Sequence, residues 1–389
     1  MEQQRLPMQQ AELVARHGHF RARERVEALL QQAGIRLNGL QPWDMQVHDE
    51  RVYARILAQG SLGLGESYMD GWWDCTQLDE FAHRTLRANL DQHIGHGWYE
   101  LWQALRGLLA NLQSKSRAFI VGQHHYDLGN QLYERMLDSR MTYTCGYWPK
   151  AADLEQAQEH KLDLVCRKIN LQPAERVLDI GCGWGSFAQF AAERYGARVV
   201  GITISREQAE LARLRCRGLP VEIRLQDYRD VHEPFEHIVS LGMFEHVGWK
   251  NYRTYLQVVK RCLQDDGLFL LHSIGANEAR QHCDPWIERH IFPNGGLPSI
   301  SQLGKAMEQG FVMEDWHNFG ADYDSTLLAW HANFEQHWSE LASRYDQRFY
   351  RMWRYYLLMC AGAFRARKLQ LWQVVMSVGG LEGGYLSQR

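Results

Sequence analysis

Three short stretches carry side chains that could do chemistry together. GMFEHVG at 242–248 sets Glu245 beside His246. LLHSIG at 270–275 adds His272, and MTYTCGYW at 141–148 places Cys145 among Tyr143, Tyr147 and Trp148. Cysteine, histidine and a carboxylate are the residue types of an activated thiol nucleophile. The same types can also ligate a metal. Each use meets an obstacle. A nucleophilic thiol needs an exposed, electropositive setting, and the stretch around Cys145 is aromatic with no cation nearby in sequence. Metal binding has no dedicated spacing here, so no metal is expected.

A fourth stretch, VLDIGCGWG from Val177 to Gly185, suggests a ligand. It follows an apolar run and opens a helical pattern. A glycine-rich first turn at the carboxyl end of a strand lets a ligand approach the backbone. The glycines Gly181, Gly183 and Gly185 are spaced GxGxG, whereas the dinucleotide signature is GxGxxG. Asp179 precedes the turn inside the strand, where a carboxylate suits the amino group of a methionine moiety better than a pyrophosphate. The readings are therefore a dinucleotide fold, an S-adenosylmethionine fold, or a tight turn without a ligand. The next strand ends Thr203, Ile204, Ser205, with no acid for ribose hydroxyls, and Gln208 is the nearest polar substitute. Asp227 and Tyr228 follow a third strand. They could accept from an adenine amino group and cover its ring, or simply form a turn.

These residues need a scaffold that brings strand ends together. From about residue 160 the chain alternates. LDLVCRKIN (162–170) is a helix, RVLDIG (176–181) a strand and SFAQFAAERYG (186–196) a helix closed by Gly196. ARVVGITIS (197–205), VEIRLQD (221–227), EHIVSLGMF (236–244) and GLFLLHSIG (267–275) are strands, with REQAELARLRC (206–216) a helix. Such alternation predicts an α/β fold, a parallel sheet covered by helices on both faces. Glu245 and His272 then fall on the sheet edge where open α/β sheets bind ligands. Residues 278–300 and 315–372 interrupt the pattern and read as lid insertions rich in tryptophan: Trp286, Trp316, Trp330, Trp338 and Trp353. Upstream, ARERVEALLQQA (22–33) and 79–111 read as helices, LGLGESYMDGWWD (62–74) as a loop, and 112–124 as the linker between domains.

Composition narrows the function classes. The 389 residues suffice for roughly two or three domains. A net charge of −3 gives no global signal for nucleic acid. Basic clusters at Arg21, Arg23 and Arg25, at Lys115 and Arg117, and at Arg365, Arg367 and Lys368 read as solvated faces or contacts to an anionic membrane surface. No signal peptide and no spanning segment is expected. Eight cysteines without a CxxC pair point to a reducing cytoplasm rather than a disulfide or zinc framework. Fourteen tryptophans and 17 tyrosines suit an apolar or cation-binding pocket.

Taken together, these stretches resemble the cyclopropane-fatty-acyl-phospholipid synthases over nearly the whole chain. The resemblance runs through HYDLGN (125–130), YTCGYW, VLDIGCGWG, LQDYRD, GMFEHVG, LLHSIG and WIERHIFPNG (286–295). The more specific segments are YMDGWWD, WHNFGADY and CAGAFRAR. VLDIGCGWG alone would indicate only the methyltransferase superfamily.

The resemblance implies a Rossmann-like class I methyltransferase domain with a mostly parallel seven-stranded sheet, over 125–389. It adds a small α+β or helical N-terminal domain over 1–111. The implied reaction moves a methyl from S-adenosylmethionine to a cis double bond of an unsaturated phospholipid. Loss of a proton to bound bicarbonate then closes a cyclopropane ring. Related products with a methyl branch or methylene, and a non-catalytic lipid-binding module, remain alternatives. By position, the bicarbonate cradle is Cys145 and Ile274 through the main chain, with Glu245, His272 and Tyr323. Glu245 would orient His272 or share a proton with the anion. Cofactor contacts fall on Tyr143, Thr144, Asp179, Gly181, Cys182, Gly183, Trp184, Gly185, Thr203, Ile204, Ser205, Gln208, Asp227 and Tyr228. A homodimer in peripheral contact with the inner face of the membrane is implied as well. Tyr68, Trp72 and Trp73 are expected at the domain junction, and Cys360 in packing.

Overall fold

The computed structural model describes residues 20–90, 129–279, 283–308 and 310–389. The expected linker 112–124, most of the helix expected over 79–111, and the first residues of HYDLGN lie outside them. Residues 20–32 are helical. The elements that follow are β1 (Gln46–Val47), α1 (Arg51–Met69), β2 (Trp73–Asp74), α2 (Leu78–Arg87), α3 (Asn130–Met136), α4 (Leu154–Lys168) and β3 (Arg176–Ile180). Next come α5 (Ser186–Tyr195), β4 (Arg198–Thr203), α6 (Arg206–Arg215), β5 (Val221–Leu225), β6 (Phe235–Leu241), α7 (Tyr252–Cys262) and β7 (Leu263–Ala276). The last are α8 (Pro285–His290), α9 (Ile300–Met307), β8 (Val312–Asn318), α10 (Ala321–Leu341), α11 (Gln347–Arg365) and β9 (Leu369–Ser377).

The chain divides into two compact units. One holds described residues 20–90 together with Asp284–Ile291 and Ala342–Ala366, and the other holds the rest. In the first unit, YMDGWW makes an internal core. Tyr68 meets Trp73 edge-on at 5.2 Å and Tyr355 at 5.4 Å, and Trp73 meets Phe81 at 5.3 Å. Asp70 pairs with Arg55 and Arg348. The motif therefore ties the N-terminal segment to α11, a helix nearly 300 positions downstream. Most of the stretch expected as a loop, 62–74, is helical through Met69. Gly63 and Gly65 serve close packing, and a Cβ on Gly65 would sit 2.4 Å from the buried Trp286 ring, whereas Gly71, at φ 75°, makes the turn after the helix. Arg365 is bound to Asp79 and Glu80, so it is not a free membrane contact.

The second unit is built on a seven-stranded sheet of order β5-β4-β3-β6-β7-β9-β8. Strands β3 to β7 pair in parallel, and β9 runs antiparallel between β7 and β8. Alternate residues of each strand feed two cores, as a period of two requires. Leu178, Ile180, Val200, Ile202, Phe269 and Leu271 face one, while Val177, Val199, Val239, Leu268 and Leu270 face the other. Local chemistry starts the helices. Asp153 accepts from the Gln156 amide at 2.9 Å to cap α4, and Ser205 caps α6 through the Gln208 amide. Gly196, left-handed at φ 65°, closes α5. The span expected as an insertion, 315–372, includes most of β8 and the start of β9. Only the helices between those strands stand outside the sheet.

Candidate active site

The strand order reverses direction between β3 and β6, and ligands of open α/β sheets bind beyond the strand ends at such a point. A cavity opens there. Its wall is Met141 to Thr144, Lys161, Asp179 to Trp184, Ser186, Phe187, Ile202 to Ser205, Gln208, Gln226 to Arg229, Leu241 to Met243, His246, Val247 and Phe292 to Asn294. The loop after β3 is fixed by the Gly181 and Cys182 amides, which both donate to the Ile202 carbonyl, at 2.9 and 3.0 Å. Gly242, at φ 73°, admits Thr144: a Cβ there would meet its Cγ2 at 2.5 Å.

Every expected cofactor contact lies on this wall except Gly185. That glycine instead packs on α6, where a Cβ would approach Cys216 Sγ at 3.1 Å. The Asp179 carboxyl is buried and its Oδ2 has no protein partner. Burial pushes it up to about 7, and Lys161 pulls it down. Thr203 Oγ1 donates to Gln208 Oε1 at 2.9 Å, which leaves the Gln208 NH2 with its donors for another partner. Asp227 is held by Arg229, whose Nε and Nη2 donate to its two oxygens at 2.8 and 2.7 Å. Tyr228 is wedged against Tyr255 at 5.1 Å. Burial holds His246 down to about 4, so it is neutral.

The residues expected around an anion lie off this wall. Glu245 sits on a short 3₁₀ turn after β6. Its Oε1 accepts from the Ile274 amide at 2.7 Å, and its buried Oε2 has no protein partner. Burial pushes the carboxyl up to about 7. Glu245 thus pairs with Ile274 and does not orient His272. That task falls to Gln373 on β9, whose Nε2 donates to His272 Nδ1 at 3.3 Å. This bond leaves the ring proton on Nε2, a buried donor with no protein partner. Burial first, then Lys161 and Lys168, hold the imidazole far below its ordinary range.

Cys145 and Tyr323 are positioned by α10. Thr326 Oγ1 accepts from the Gly146 amide at 3.0 Å and Trp148 Nε1 at 2.9 Å, and donates to the Asp322 carbonyl. Asp322 also accepts from the Trp148 amide at 2.8 Å. Cys145 Sγ lies 3.1 Å from the Gly146 carbonyl, and burial raises the thiol well above its ordinary value. Tyr323 stands edge-on to Trp330 at 5.9 Å, and Trp330 tilts against Tyr143 at 5.1 Å. Among the described residues, no group of three or more His, Cys, Asp and Glu gathers for a metal.

Sequence reasoning missed Lys161, Gln158, Thr326 and Gln373. Gln158 Nε2 donates to the Thr144 carbonyl at 2.8 Å, one turn of α4 from Lys161. Polar residues on helices and strands read as solvent-facing unless the partner element is known, so none carried a signal beyond its type.

A family model described as mycolic acid cyclopropane synthetase matches residues 113–374. The cyclopropane-fatty-acyl-phospholipid synthase of Escherichia coli (strain K12) is 55% identical over 356 residues, 92% of this chain and 93% of that protein. Among solved structures, the cyclopropane synthase MmaA2 from Mycobacterium tuberculosis aligns with a TM-score of 0.63 at 30% identity, over 66% of this chain and 97% of that one. Mycolic acid cyclopropane synthase CmaA1 complexed with SAH and CTAB aligns with a TM-score of 0.63 at 31% identity, again over 66% and 97%. The chain belongs to the mycolic acid cyclopropane synthetase family and has the fold of the class I S-adenosylmethionine-dependent methyltransferases.

Proposed function

We propose that this enzyme converts the cis double bond of an unsaturated acyl chain in a membrane phospholipid into a cyclopropane ring. The reading is supported most by one observation: beside the cavity lined by the glycine-rich turn, Glu245 Oε2 and His272 Nε2 are buried without protein partners. Buried polar atoms are rarely left so, and these two suit a small bound oxyanion.

The cavity fits an S-adenosyl group. Asp179 offers an unpartnered carboxylate to an amino group, Gln208 an amide to ribose, and Tyr228 an aromatic face to the base. S-adenosylmethionine, when bound, supplies the methyl. The alkene carbon attacks that methyl and the neighbouring carbon becomes a cation. The site's residues then do three things. Apolar walls exclude the water that would trap the cation. Tyr143, Trp330 and Tyr323 offer aromatic rings to positive charge. His272 Nε2–H donates to a bound anion, and Glu245, with its carboxyl near neutrality, shares a proton with it. Bicarbonate would fit that position as the base that takes a proton from the new methyl. The Ile274 amide is already engaged by Glu245, so it would act on the anion through that carboxylate rather than directly.

The lipid is reached by peripheral contact with a bilayer. No helix among the described residues is long and apolar enough to cross a membrane. The homodimer and the location at the inner membrane face belong to the same proposal. Purified protein should release S-adenosylhomocysteine with vesicles of unsaturated phospholipid and not with saturated ones. Binding of S-adenosylmethionine without turnover on unsaturated vesicles would overturn the reading.

A further inference from the structure

Lys161 lies on α4, inside the second unit, and is fully buried. Nothing in the reaction proposed above uses it. Buried lysines are rare without a charged partner, because losing water penalises the ammonium. Among the described residues, the side chain makes one hydrogen bond, from Nζ to Thr144 Oγ1 at 2.7 Å. An ammonium has three N–H donors, so two remain for a ligand. Both Lys161 and Thr144 are on the cavity wall, as is Asp179, whose Oδ2 is buried without a partner.

The two charges have opposite signs and face one cavity. Because Lys161 fills an acceptor site of the Thr144 oxygen, the hydroxyl proton must point elsewhere and is free to donate. Gln158, one turn away, holds the Thr144 carbonyl and so fixes the residue's backbone. The result is an ammonium and a neutral hydroxyl, both donors, beside a carboxylate acceptor. An α-amino acid zwitterion has the complementary pattern: a carboxylate next to an ammonium.

We propose that Lys161, acting with Thr144, is a binding residue for the α-carboxylate of the cofactor's amino-acid end. It makes the cavity selective for zwitterionic S-adenosyl compounds over those without a carboxylate. Asp179 takes the ammonium. The assignment rests on the reading of this cavity as the S-adenosyl site. Burial brings the lysine down to about 8, with Asp138 and Asp179 holding it up, so the ammonium keeps its proton at neutral pH.

Calorimetric titration with two probes tests this. One is S-adenosylhomocysteine; the other is its decarboxylated analogue, which keeps the amine. Wild-type protein should bind S-adenosylhomocysteine about tenfold or more tightly than the analogue, the range for a hydrogen bond to a charged group. Lys161→Met should erase that preference by weakening S-adenosylhomocysteine about 10- to 100-fold, while the analogue binds as it does to wild type. Retained analogue affinity also shows that the variant is folded. Equal losses for both probes would make Lys161 a support of the cavity's shape and overturn the assignment. Equal wild-type affinities would overturn it without any variant. Wild-type protein that binds neither probe would instead overturn the S-adenosyl reading of the cavity.

Discussion

Cys145 is fully buried with its Sγ turned to the Gly146 carbonyl, and burial keeps the thiol from ionising. Both features weigh against a thiolate nucleophile. Cys145→Ser keeps the size and the donor, so it should retain a substantial part of the activity; near-complete loss with the fold intact would revive the nucleophile. Glu245 behaves in the opposite sense. Its carboxyl is raised from 4.5 to about 7 by burial, so the folded protein holds this proton more tightly than the unfolded chain. The associated stability is complete below the unfolded value and is lost as pH rises through the folded one. Glu245→Gln removes that component. Between pH 4.5 and 7 the variant should therefore gain on wild type by on the order of 3 kcal/mol. Urea denaturation at several pH values measures this, and parallel profiles would contradict it. The same variant should lose about 100-fold or more in kcat, the range for a lost proton-transfer group.

At the scale of elements, legibility followed periodicity. Strands β3 to β7 and helices α5 and α6 were readable because parallel strands are continuous apolar runs and because Gly196 and Ser205 mark helix ends, whereas α7, between β6 and β7, was not located. Strands β8 and β9 were not located. VMEDWHN mixes charge with aromatics at a sheet edge, and LQLWQVV follows a helix so directly that no turn signal separates them. LGLGESYM was misread because glycine marks turns more often than packing. Gly65 serves packing: a Cβ would meet Trp286 at 2.4 Å, and that ring is buried. Gly65→Ala should cost about 1–3 kcal/mol, the usual range for overpacking. A thermal melt reads the loss, and an unchanged Tm would show that the α1–α8 contact can yield.

For the whole molecule, sequence order misleads about which parts belong together. Asp284–Ile291 and Ala342–Ala366 read as lid insertions, yet each packs in the same compact unit as residues 20–90. No sequence signal joins Tyr68 to Tyr355. The part of the cavity wall that lies in the loops directly after β3, β4 and β5 was legible, because such loops follow readable strands. Three other groups were not: Lys161 on the wall, and Gln373 and Thr326 off it, come from elements whose packing only the fold reveals. All of these parts serve one claim, that the transferred methyl loses a proton and becomes a ring carbon. Mass spectrometry of phospholipid treated with cofactor bearing a fully deuterated methyl tests it most directly. The product should gain a dideuterated methylene in a saturated ring, with one deuteron lost. A product that keeps the intact deuterated methyl, or retains its double bond, would contradict it.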